Sequence, residues 1–71
     1  MGILEQIQTL MHAAQFEPFK LILPNGQKVP VPHLDYIWVH PDKKTVLVAD
    51  ENAARFFNVN LIVGIETRSA A

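Results

Sequence analysis

Hydrophobic periodicity changes once along this chain, at Pro18, and that change restricts the fold more than any other feature. Upstream, Ile3, Leu4, Ile7, Leu10, Met11 and Ala14 fall on one helical stripe, with Glu5, Gln6, Gln8, Thr9 and His12 on the rest of the wheel. The spacing predicts an amphipathic helix over residues 3–14. The polar face carries one acid and no Lys or Arg, so packing on a sheet suits this helix better than a membrane surface. Downstream, apolar residues recur at every second position, the pattern of half-buried strands.

Residues 19–23 read as a strand, followed by a tight turn at Pro24-Asn25-Gly26, where proline pre-sets a turn angle and glycine accepts a positive φ. A second strand is predicted over residues 28–40, bent near His33 to Asp35 and resuming at Tyr36. Pro30 and Pro32 both lack an amide hydrogen. Because backbone groups alternate in direction along a strand, both gaps face the same edge and leave the other edge able to pair. Further strands are predicted over residues 45–49, 55–59 and 62–66, with turns at Pro41 to Lys44 and Asp50 to Asn52. Val59-Asn60-Leu61 suits a single helical turn, and residues 67–71 a frayed tail.

The expectation is a mainly β domain spanning residues 1–71: an N-terminal α-helix, then five antiparallel strands. Short, sequentially paired strands with a bent second member close most easily as an SH3-like barrel. The leading helix and the turn before the last strand resemble its Sm-like variant. That likeness concerns the fold, and fold does not assign function. No Sm signature is present, so no RNA contact is carried over from it.

A second resemblance is closer in sequence. Phe16, Pro18, Phe19, Gly26, Val31, His33, Asp35 and Tyr36 match a pattern close to P-F-x-P-F-x-I-x-x-x-D-G-…-V-x-H-P-D-F. On these residues the chain resembles a widespread family of small, mostly uncharacterised bacterial proteins. Gln15 replaces the first proline, Asn25 stands where the family often has aspartate, and Leu34 replaces the proline of His-Pro-Asp. The resemblance implies a shared fold and no known activity.

Size then matters. A chain of 71 residues buries only about 60% of its unfolded surface. Its core rarely supplies more than roughly 3–5 kcal/mol without a supplement. With no cysteine, disulfides and thiolate zinc sites are excluded, leaving association as the expected supplement. A net charge of −1 gives no electrostatic footprint for non-specific phosphate binding. No signal-peptide pattern and no transmembrane-length apolar run is present, so a cytoplasmic chain is expected.

Two His-x-Asp triplets, His33-Leu34-Asp35 and His40-Pro41-Asp42, are the obvious candidates for proton transfer or metal binding. Within each triplet the histidine and aspartate share a strand face, but His33 and His40 are an odd number apart, which puts the pairs on opposite faces. No third His or Cys ligand lies nearby, and no hydroxyl sits in a nucleophile-elbow context. Phosphate-binding glycine loops are absent too. The expectation is therefore no catalytic residue, no metal and no cofactor, with Asp35 and Asp42 serving turns.

Several strands are apolar on both faces, more than one small barrel interior can hide. Self-association is the expected remedy, with Trp38 and Phe56 as interface anchors, since large aromatics dominate such interfaces. The expected function is a non-enzymatic assembly or binding module, homo-oligomeric or seated on a protein partner. The alternative is an Sm-like ring that binds RNA or a nucleotide through Lys43, Lys44, Arg55, Asn58 and Asn60. A symmetric ring would concentrate a few cations around one pore.

Overall fold

The amphipathic stripe forms helix α1, Ile3–Met11, in the computed structural model, which describes residues 2–67. Ile7 is completely buried, while Ile3, Leu10 and Met11 pack against the core's margin. The helix stops at Met11 instead of residue 14, with the His12 amide closing the last turn on the Gln8 carbonyl at 3.0 Å. A further turn would have brought in Ala14, which is exposed. Its methyl group offers little apolar area, and helices this short persist through packing more than propensity.

Six strands follow: β1 (Phe19–Ile22), β2 (Lys28–Val31), β3 (Ile37–Val39), β4 (Thr45–Ala49), β5 (Ala54–Asn58) and β6 (Gly64–Thr67). They form two antiparallel three-stranded sheets, ordered β2-β1-β6 and β3-β4-β5. The β1–β2 turn is as expected: Gly26 has φ 86°, its amide bonds Leu23, and the Asn25 side chain accepts the Gln27 amide at 2.9 Å.

The single bent strand expected over residues 28–40 is divided. Pro32 has no amide to offer a ladder, and the Tyr36 amide turns back to the His33 carbonyl at 3.0 Å, closing a 3-10 turn over Leu34–Tyr36. The bend is where it was expected, but it separates β2 from β3. The five-strand count therefore becomes six, and among the described residues no backbone ladder closes the two sheets into a barrel.

The predicted helical turn is present as a 3-10 turn over Val59–Leu61, capped by the Asn58 side chain on the Asn60 amide at 2.8 Å. Beyond it, Ile62 is buried and the Val63 amide reaches Ile22, so regular pairing of the last strand begins at Gly64 and not at residue 62. Thr67, expected in the tail, pairs with Phe19; residues 68–71 of that tail lie outside the described residues.

Phe19, Leu21, Val29, Val31, Ile37, Val46, Val48 and Ile62 join Ile7 in the core. All come from inward positions of the two sheets, or from the chain leading into β6. The outer faces then differ. On the first sheet, Lys20 has Pro30 and Glu66 as cross-strand neighbours, and Lys28 reaches across β1 to Glu66 at 2.7 Å. That face is charged. The second sheet's outer face is not.

Candidate functional site

Two hairpins set the register of the second sheet. Between β3 and β4, the His40 amide bonds the Thr45 carbonyl at 2.9 Å, and the Asp42 carboxylate holds the intervening turn. It accepts the Lys44 amide at 2.8 Å, and the Thr45 amide and hydroxyl at 3.1 Å each. The Lys44 amide is the largest reason its carboxyl ionises below the ordinary range. Lys43 adopts φ 60°, the left-handed region that glycine fills without strain. Between β4 and β5, Asp50 accepts the Asn52 and Ala53 amides at 2.8 Å each, and those bonds lower its pKa likewise.

Counting outward from these turns, Trp38 pairs with Leu47, and Leu47 with Phe56. The three side chains make one row across the outer face. Ala49 and Ala54 extend it on one side, and Thr45 and Asn58 bound it on the other. Trp38 is 47% exposed and Phe56 69%, so neither lies beneath α1. The two expected anchors thus stand in one row. Leu47, which joins them, was missed by the sequence reading. Its signal was the turn lengths, which align Leu47 with both aromatics once pairing is counted from each hairpin.

The histidine–aspartate pairs remain separate. His40 Nδ1 accepts the Asp42 amide at 3.0 Å and stands 3.3 Å from Asp42 Oδ1. A nitrogen accepting that amide carries no proton, so in this arrangement the shorter contact governs and the pair is not ionic. The His40 ring lies edge-on to Trp38, with centroids 5.3 Å apart. His33 instead faces Tyr36 at 5.7 Å, and Asp35 is exposed in the 3-10 turn. Asp42 performs the turn role expected of it; Asp35 makes no side-chain hydrogen bond among the described residues. No group of three or more His, Cys, Asp or Glu comes together there to hold a metal ion.

The polar residues of the RNA reading divide. The Val59 amide bonds the Lys44 carbonyl at 2.8 Å and Asn58 pairs with Thr45, which gathers Lys43, Lys44, Asn58 and Asn60 at one end of the sheet. Arg55 is apart from them: it pairs with Val48, and its guanidinium lies 5.5 Å from the Phe57 ring centre. No described helix is long and apolar enough to cross a membrane. Comparison with protein-family models, curated proteins and solved structures gives no match for this chain.

Proposed function

We propose that this chain is a non-enzymatic, homo-oligomeric assembly module whose copies join through the β3-β4-β5 sheet. One observation carries the reading: Trp38, Leu47 and Phe56 line up on an outer face that no described strand or helix covers, while the first sheet's outer face is charged. Apolar burial contributes about 25 cal/mol per Å², so a shared surface adds substantially to so small a core. We read the two sheets as arms of an SH3-like (Sm-like) barrel, with β2 and β3 as one interrupted strand and β6 returning to β1. The pattern over residues 16–37 supports kinship with the small bacterial family described above.

Light scattering coupled to size exclusion tests the reading. Wild type should elute as an oligomer, and Phe56→Asp should shift it toward the monomer without loss of β structure. A wild-type monomer at micromolar concentration would overturn it.

A second reading, RNA or nucleotide binding, is favoured by the clustering of Lys43, Lys44, Asn58 and Asn60. A cleft of about 240 Å³ beside them is lined by Gln8, His12, Trp38, His40 and Lys43, joining the Lys43 ammonium to an aromatic face. Short single-stranded RNA should then bind with an affinity that falls steeply with salt, and replacing Lys43 and Lys44 should weaken it. Absence of binding at low salt leaves only the assembly reading.

A further inference from the structure

Among the described residues the two sheets present four strand edges, and three are guarded. β2 presents Pro30, whose missing amide faces outward: the Leu23–Gln27 bond fixes the ladder's alternation so that Val29 and Val31 bond β1 and Pro30 does not. Along β6 the helix packs, with Gln6, Thr9 and Leu10 beside Ile65 and Thr67. β3 has three residues, between the 3-10 turn and Pro41. β5 carries no proline, lysine or acid; its one charged side chain, Arg55, lies 5.5 Å from the neighbouring Phe57 ring, and among the described residues the strand pairs only with β4. Proteins ordinarily protect such an edge.

Its alternation is fixed at both ends. The Asp50 amide bonds Ala53 at 2.7 Å, and the Val59 amide bonds Lys44 at 2.8 Å. Antiparallel alternation between those points directs the backbone groups of Arg55 and Phe57 toward β4. Those of Ala54, Phe56 and Asn58 point away from the sheet. Phe56 stands at the centre of that free row and is the most exposed large apolar residue of the described chain.

We infer that two copies join edge to edge through β5, antiparallel about a two-fold axis at Phe56, making one continuous six-stranded sheet. The inference rests on the assembly reading and places its joint at Phe56 alone of the three row residues, with Trp38 and Leu47 outside the contact. The register is self-complementary: Phe56 of each copy exchanges both backbone bonds with its counterpart, and Ala54 does so with Asn58 of the other. Arg55 meets Phe57 of the second copy and not the other arginine, so no like charges oppose one another and the guanidinium keeps an aromatic neighbour. On the outer face the two Phe56 rings become neighbours. Each gains on its edge side the packing partner that the single chain lacks, and the two apolar rows join end to end.

Because the chain has no cysteine, one substitution can test the register. Directly opposed residues in a hydrogen-bonded pair lie about 5.5 Å apart between Cα atoms, within disulfide reach. Oxidised Phe56→Cys should therefore run as a covalent dimer. Ala54→Cys should not, since its two copies lie about 14 Å apart along the strands. Ala54→Pro removes an outward amide only, as Pro30 does in β2, and should yield a folded monomer by circular dichroism. Trp38→Ala, remote from the axis, should remain a dimer. The Phe56 amide should exchange slowly in wild type and lose most of that protection in Ala54→Pro. An Ala54→Pro oligomer, or Phe56→Cys that does not cross-link within a persisting oligomer, overturns the β5 joint and leaves the assembly reading standing. A wild-type monomer overturns both.

Discussion

Lys43 is the one described residue other than glycine with a positive φ, and its neighbours show why the turn tolerates it. Asp42 holds the amides of Lys44 and Thr45, so Lys43 completes a turn fixed from both sides. A Cβ in that conformation costs about 1–2 kcal/mol, and glycine's extra freedom when unfolded returns roughly 0.4–1 kcal/mol of it. Lys43→Gly should therefore stabilise the protein by about 0.5–1 kcal/mol. Lys43→Ala, which keeps the Cβ and removes the charge, should change little. Urea denaturation of the pair separates backbone from charge, and equal effects would show that the strain is absent. Both the turn and its aspartate were legible in Pro41-Asp42-Lys43-Lys44. The left-handed residue was not, because lysine advertises no such preference.

The turn carboxylates also set a pH dependence. Asp42 and Asp50 ionise below their ordinary value because backbone amides bond the charged form, and Glu66 does so through the Lys28 ammonium. Folded values lie below unfolded ones. Their stabilisation is thus complete above about pH 5 and is lost as pH falls through the ordinary carboxylate range, near 4, toward the folded values. Melting temperature should fall over that interval. In an Asp42→Asn, Asp50→Asn variant, which keeps an acceptor oxygen at each turn, the fall should be shallower. Equal slopes would mean that the turn bonds do not favour the charged form.

Among elements, α1 depends on one side chain. Ile7 is the helix residue that is wholly buried, and its neighbours on the stripe are only partly covered. Truncating a buried isoleucine costs about 2–5 kcal/mol. That is comparable to the roughly 3–5 kcal/mol expected from so small a core. Ile7→Ala should accordingly remove most of the helical circular dichroism at 25 °C, whereas Leu4→Ala, at a half-buried position, should cost less. The stripe identified this helix but not its end. Periodicity reports which face can be buried, whereas the end depends on whether a neighbour is there to bury it.

The divided second strand has the same lesson. Two prolines located the bend and the open edge, but the Tyr36 amide's choice between a ladder and the His33 carbonyl was settled by geometry beyond the local sequence. Trp38 and Phe56 were legible as anchors from residue type alone. Their alignment through Leu47 required the register of three strands together.

At the scale of the whole molecule, the asymmetry between the two outer faces is the dominant property. The Lys28–Glu66 pair spans the first sheet at 2.7 Å, yet both side chains are almost half exposed, so it marks a solvated face more than it supports the fold. If association occurs at the second sheet, melting temperature should rise with protein concentration by mass action. Lys20→Ser, on the charged face, should leave that dependence unchanged, whereas Phe56→Asp should abolish it. Identical concentration dependence in all three proteins would place the contact elsewhere.

Trp38 is the chain's only tryptophan, and it sits at the end of the apolar row with His40 edge-on at 5.3 Å. Excited at the red edge of the absorption band, where the Tyr36 phenol does not absorb, the indole therefore gives a single-site emission. Solvent reaching that end of the row will move the emission maximum to longer wavelength. Colour at one ring thus reports whether water reaches the sheet face, and the unlabelled protein carries its own optical probe of that face.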